Sequence, residues 1–208
     1  MSSFFVTGTD TNVGKTLLSS LLVAALDAVY WKPIQTGTAE GADRERVIEW
    51  TGIRPEKTIP EVYRFEPPVS PHLAAEAAGV RIDFGRIALP QPMPGSLIVE
   101  GAGGILVPIN ETETMLDLAR KLSLPVVIAS RTALGTINHT SLTVRVLRCA
   151  GIPVKGVVMI GHPNLDNERS IERYAAVPVI GRIPWLAEIN RRTLVEVFRS
   201  GFDPKAFV

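Results

Sequence analysis

Cysteine is almost missing from this chain of 208 residues: Cys149 is the only one. A single thiol cannot build an internal disulfide framework or a cysteine-rich zinc site, and it suits a reducing compartment. An excess of either charge is missing too, since 22 Lys plus Arg stand against 21 Asp plus Glu, a formal net charge of +1. That balance argues against partners held by bulk charge, nucleic acid and anionic membrane alike. No stretch approaches the ~20 apolar residues that span a bilayer. The N-terminus has neither a basic n-region nor a leader-length apolar core, and it reads directly as a strand. His72, His139 and His162 show no metal-ligand spacing and read as hydrogen-bonded structural groups. There is no Gly-x-Ser-x-Gly elbow, and no segment repeats another.

What is present is ordinary for a globular chain, with 46% hydrophobic and 21% charged residues. At ~100–200 residues per domain, residues 1–208 read as one domain. A chain of this length buries roughly 70% of its unfolded surface and needs no covalent staple. These features describe a compact cytoplasmic protein that handles a small molecule.

Short apolar runs alternate with longer helical stretches. Ser3–Val6, Ala28–Trp31, Leu97–Val99, Val126–Ala129, Val154–Ile160 and Val179–Ile180 are mostly continuous rather than alternating. Continuous runs fit strands covered on both faces of a parallel sheet. Lys15–Ala28 reads as a helix apolar on most sides and therefore buried. Met115–Leu122, Ile137–Ala150 and Glu168–Ala176 read as further helices. The expected architecture is α/β, a doubly wound and mostly parallel sheet flanked by helices, with ligands at the carboxyl ends of its strands. Thr36–Gly95 breaks this rhythm, carrying Pro67-Pro68, Pro71 and the proline-rich run Pro90-Gln91-Pro92-Met93-Pro94. It reads either as a surface excursion with helices near Ala42–Trp50 and Leu73–Ala78, or as a lid or substrate-binding loop.

Gly8-Thr9-Asp10-Thr11-Asn12-Val13-Gly14-Lys15-Thr16 follows the first strand and opens the buried helix. That is the context of a phosphate-binding loop. Backbone N–H groups and the helix N-terminus cradle the anion, Lys15 reaches the terminal phosphates, and the Thr16 hydroxyl serves Mg²⁺. The strict motif would place its first glycine at position 9, where Thr9 stands, so this loop is a variant. Magnesium needs further oxygens. Glu100, followed by Gly101-Ala102-Gly103-Gly104, reads as such a carboxylate or as a strand-end acid facing water before a glycine turn. Asp43 reads first as an N-terminal helix cap. Lys32, before Pro33, points toward the same edge as Lys15, although a strand-end lysine taken alone reads as solvated. Cys149 sits in a helical stretch among apolar neighbours, so no motif for covalent catalysis is present.

The loop from Gly8 to Thr16 is followed along the chain by Lys32-Pro33-Ile34-Gln35-Thr36-Gly37, Ser70-Pro71-His72 and Glu100-Gly101-Ala102-Gly103-Gly104. Leu134-Gly135-Thr136-Ile137-Asn138-His139 and Gly181-Arg182-Ile183-Pro184-Trp185-Leu186 come after them. Taken together, these segments resemble dethiobiotin synthetases. The loop alone is shared with related ATPases; the combination is specific.

The resemblance implies a P-loop NTPase-type domain that joins 7,8-diaminononanoate and CO₂ to give dethiobiotin, ADP and phosphate. It implies Asn12, Val13, Gly14, Lys15, Thr16 and Leu17 around the phosphates of ATP, with Gly101, Ala102 and Gly103 nearby. Thr16, Asp43 and Glu100 would surround Mg²⁺. Lys32 would be the catalytic lysine beside Lys15, and Thr11, Thr36 and Pro71 would meet the diamine or its carbamate. Leu134, Gly135 and Asn138 resemble a turn that receives the substrate carboxylate from a neighbouring subunit, which implies a homodimer. Gly181, Arg182, Ile183 and Glu188 would line base and ribose. Many members read adenine with an asparagine where this sequence has Ile160-Gly161; isoleucine cannot make that hydrogen-bond pair, which leaves base selectivity open. A tyrosine that assists the carboxylate in some members has no match here, since Tyr174 lies nearby at mismatched lengths.

Two other classes share the loop. A partition or site-selection ATPase switch would carry a signature lysine where Asp10 stands, and this sequence has no basic or amphipathic membrane tail. The synthetase module of a cofactor amidotransferase is generally joined to a glutaminase domain, for which this length leaves no room.

Overall fold

The computed structural model describes residues 3–92 and 95–207, so Met93-Pro94 of the proline-rich run lie outside the described residues. Strand β1 (Phe4–Gly8) leads through the phosphate-loop sequence into helix α1 (Lys15–Leu26), then β2 (Val29–Trp31) and the two-residue β3 (Ile34–Gln35). Helix α2 (Asp43–Thr51), β4 (Thr58–Ile59), β5 (Tyr63–Arg64) and α3 (Pro71–Ala77) follow. The chain continues with β6 (Leu97–Gly104), α4 (Met115–Leu122), β7 (Val126–Arg131), α5 (Thr136–Cys149) and β8 (Val154–Ile160). It closes with α6 (Leu165–Tyr174), β9 (Val179–Ile183) and α7 (Arg191–Gly201).

Seven strands form one sheet in the order β4-β2-β6-β1-β7-β8-β9, and every pairing in it is parallel. Side chains alternate across a strand, and here that alternation divides the apolar runs between two cores. Phe5, Leu97, Val99, Val126, Ile128, Val157 and Met159 face a core shared with Leu118 of α4, Leu147 of α5 and Ile171 of α6. Their strand neighbours Phe4, Val6, Ile98, Val127, Ala129 and Val158 face a second core with Leu18 and Leu22 of α1, Val47 of α2 and Leu194 of α7. Both faces being covered explains why the strands read as unbroken apolar runs.

The connection leaving β1 runs to one side of the sheet and those leaving β7 and β8 to the other. A crevice therefore forms at the carboxyl end of β1, where a doubly wound sheet binds ligands. The excursion from Thr36 holds α2 and α3 close to the expected helices. It also holds β4 on the sheet edge and β5 paired with β3. Two-residue strands carry no periodic signal, so the sequence does not announce them.

Of the two readings of Glu100, the one with a glycine turn does not hold: the glycines after it continue β6 to Gly104, with Gly104 in register with Gly8. The missing side chain is what permits this, since a Cβ on Gly101 would lie 3.0 Å from the ring of Phe5. Among the described residues, no helix is long and apolar enough to cross a membrane.

Candidate active site

The crevice holds a cavity of about 680 Å³ over the carboxyl ends of β1, β2 and β6. One wall is the loop before α1. Gly14 adopts a left-handed φ of 94° as the residue preceding that helix, a conformation glycine takes without steric cost. A side chain there would also meet Ile160, whose Cδ1 would lie 2.8 Å from the added Cβ. The turn aims Lys15 back over the loop, where its Nζ donates to the Asp10 carbonyl at 3.0 Å. Burial, with repulsion from Lys32 added, outweighs the pull of Glu100 and lowers the Lys15 pKa to about 8.

The opposite wall is a buried charge cluster. Lys32, which taken alone reads as a solvated strand-end lysine, is buried. Its ammonium donates to Asp43 Oδ2 and, at 3.2 Å, to Glu100 Oε1. Burial opposes that charge, but Glu100 and Asp43 together overcome it and hold the Lys32 pKa above its ordinary value. Asp43 is likewise buried, yet the Lys32 ammonium and the Thr16 hydroxyl keep its carboxyl below the usual range. Arg46 reaches the same carboxylate at 3.6 Å. Asp43 opens α2 without capping it with its side chain. Gln35 instead fixes that helix start by accepting from the Asp43 N–H at 3.1 Å and donating to the Thr36 carbonyl at 2.7 Å.

Thr16 links the two walls. Its Oγ1 lies 3.0 Å from both Asp43 Oδ1 and Glu100 Oε1. A hydroxyl has one proton, so it donates to only one of these carboxylates at a time. Three hard oxygens around one point suit a divalent cation that takes its remaining ligands from phosphate and water. Among the described residues no three His, Cys, Asp or Glu side chains form a metal cage, and magnesium does not require one.

Of the sequence-predicted residues, the cavity gathers Thr11, Asn12, Gly14, Lys15, Thr16 and Leu17 on the loop side. Lys32, Thr36, Asp43, Pro71, Glu100, Ala102 and Gly103, also named from the sequence, line it too. Val13 is buried in the core beneath the loop, and Gly101 packs on Phe5. Leu134, Gly135 and Asn138 lie outside the cavity, with Leu134 fully exposed at the start of α5. Ile160 packs on Gly14, while Gly161 and Arg182 line a separate cavity of about 200 Å³. Arg182 is ion-paired there with buried Glu168. Gly181 is buried beneath the Phe202 ring, Ile183 is in the core, and Glu188 is exposed.

Sequence reasoning passed over Tyr30, Gln35, Arg46 and Trp50. The last three line the cavity, and Tyr30 donates to Glu100 Oε2 at 3.0 Å from within the core. For Tyr30 a signal existed: it stands two residues before Lys32, which directly follows β2, and extended chain puts residues two apart on the same face.

A family model described as an AAA domain matches residues 2–193. The chain is 47% identical over 207 residues to the ATP-dependent dethiobiotin synthetase BioD of Novosphingobium aromaticivorans, covering all of both chains. It is 45% identical to the protein of that name from Rhodopseudomonas palustris strain HaA2, covering 98% of this chain and 95% of the relative. Among solved structures it resembles the cell division ATPase MinD of Pyrococcus furiosus, with a TM-score of 0.51 and 15% identity over 88% of this chain and 84% of that one. That likeness is one of fold and places the sheet among P-loop α/β structures.

Proposed function

This chain belongs to the ATP-dependent dethiobiotin synthetases, ligase-type enzymes of biotin biosynthesis, and on that premise we propose that it closes the ureido ring of dethiobiotin. The substrates are 7,8-diaminononanoate, CO₂ or bicarbonate, and ATP. One observation carries the reading: a buried lysine, Lys32, and its two carboxylate partners line the same cavity as the phosphate-loop pair Lys15 and Thr16.

One amine of the diamine captures CO₂ as a carbamate. A carbamate oxygen then attacks the γ-phosphorus of ATP, and ADP leaves. The second amine attacks the carbonyl carbon of the mixed anhydride, closing the ring and expelling phosphate. No protein nucleophile is needed, so the residues act by position and charge. Lys15 and the N–H groups of the loop through Leu17 hold the β- and γ-phosphates. Lys32 stabilises the carbamate and the transferring phosphoryl group, where negative charge is greatest. Its buried carboxylate partners keep it protonated for that role. Thr16, Asp43 and Glu100 hold magnesium, which when bound neutralises charge on the triphosphate. Gly101, Ala102 and Gly103 let the backbone approach it closely.

Thr11, Thr36 and Pro71 position the diamine. Leu134, Gly135 and Asn138 of a second subunit take its carboxylate, as backbone amides at a helix start favour an anion. Leu134 projecting wholly into solvent supports a homodimer. Ile160, Gly161, Gly181, Arg182, Ile183 and Glu188 form the base and ribose side. We assign residues 1–208 to one synthetase domain working in the cytoplasm, in keeping with its single thiol.

Incubating the purified protein with diamine, bicarbonate, Mg²⁺ and ATP should yield dethiobiotin by mass spectrometry, with ATP hydrolysis requiring both diamine and bicarbonate. Strong hydrolysis without the diamine and indifferent to it would reject the synthetase and favour an ATPase switch.

A further inference from the structure

Glu100 is 1% exposed, so both oxygens of its carboxylate depend on protein partners. Oε1 meets Thr16 Oγ1 at 3.0 Å and Lys32 Nζ at 3.2 Å. Oε2 is met by one group of another kind, the Tyr30 hydroxyl at 3.0 Å, with both residues buried. Tyr30 stands on β2 two residues before Lys32, and its ring is packed in the core that α1 covers. The strand that delivers the lysine therefore also delivers a donor behind the carboxylate.

We propose that Tyr30 is a positioning residue that holds Glu100 with Oε1 turned into the Thr16–Asp43–Lys32 cluster, where a divalent cation binds. This rests on the magnesium role assigned to that cluster above. Without the hydroxyl, Oε2 is a buried acceptor with no donor, and the carboxylate gains by rotating to share Lys32 and Thr16 between its two oxygens. The cation then meets a ligand that must be reoriented before it can bind. Outer partners that orient a metal ligand commonly change metal affinity by about 10–100-fold when removed.

The test is Tyr30→Phe, which keeps the ring and deletes one oxygen. Cation binding is read directly, by Mn²⁺ paramagnetic resonance in the presence of ADP and without diamine. The Mn²⁺ Kd should weaken about tenfold, while the Kd for ADP in the absence of metal stays within about twofold. A lowered melting temperature with unchanged Mn²⁺ affinity would reduce Tyr30 to a core residue and overturn the proposal. Should the variant fail to fold, fluorotyrosine incorporated into the unmutated chain answers the same question. Of its three tyrosines, the resonance of the buried Tyr30 ring should shift when Mg²⁺ is added to the ADP complex, and a stationary resonance counts against the idea. None of these readouts involves turnover, so a failed synthetase reading and a failed Tyr30 assignment are distinguishable.

Discussion

Two ionic contacts flank the phosphate loop, and they differ in almost everything except sign. On one side Lys32 joins Asp43 and Glu100, with side chains 7%, 12% and 0% exposed. On the other, Arg131 at the end of β7 reaches Asp10 of the loop at 3.1 Å, with side chains 42% and 47% exposed. The second ties β7 to the loop directly, and the first reaches the loop through the Thr16 hydroxyl. Water screens the second pair, and exposed pairs of this kind contribute about 0–1 kcal/mol. In the first, water is excluded, so losing one member leaves uncompensated buried charge at about 3–5 kcal/mol. Burial thus decides which contact concentrates an electric field and which merely trims the loop.

The strongest way to break this comparison is Lys32→Ala. Because the ammonium faces the reacting groups in the proposed reaction, kcat should fall by about 100-fold or more, while nucleotide Kd moves by less than about threefold. The variant should also lose stability by about 3–5 kcal/mol, since Asp43 and Glu100 remain buried without a counter-charge. Magnesium chloride should then raise its melting temperature more than that of the parent chain, because Lys32 no longer competes for the same carboxylates. Equal stabilisation of both chains, measured by scanning calorimetry, would show that the cluster and the cation do not share ligands.

Lys15 lies between the two contacts and sharpens the contrast through pH. Its pKa is lowered to about 8, chiefly by burial, so the ammonium is present below that pH and is lost as pH rises through it. ADP affinity in the absence of metal, followed by calorimetry, should weaken by up to about tenfold between roughly pH 7 and pH 9, following the protonated fraction. Lys15→Arg should flatten the profile, since a guanidinium stays charged across this range. A profile that stays steep with arginine would trace the effect to another group.

Much of the first contact was open to reading from sequence, and the second was not. The loop, Lys32 and Glu100 stand in contiguous segments whose spacing carries chemistry by itself. The strands were legible because a sheet covered on both faces leaves unbroken apolar runs. That Lys32 is buried depends on Asp43 and Glu100, 11 and 68 residues away, and no local pattern encodes such a meeting. The same holds for Tyr30, which sits in an apolar run and reads as core until its partner across the sheet is known. The glycines after Glu100 left two readings open because glycine signals a turn as readily as close packing. Only the Phe5 ring, on the neighbouring strand, distinguishes the two.

The smallest effect belongs to the exposed pair. Arg131→Ala and Asp10→Asn should each change stability by less than about 1 kcal/mol, with a coupling between them of about 0.2–1 kcal/mol in a double-mutant cycle. Raising ionic strength toward 1 M, where the screening length falls to about 3 Å, should erase most of that coupling and leave the Lys32 cluster intact. Asp10 has a second tie that salt does not reach: its Oδ1 accepts the Thr11 N–H at 2.7 Å within the loop itself. An asparagine can keep that acceptor while losing the charge, so Asp10→Asn should preserve nucleotide affinity where Asp10→Ala weakens it. Equal loss in both variants would mean that the bond to Arg131, rather than the turn, holds the loop in shape, and the exposed contact would then rank much closer to the buried one.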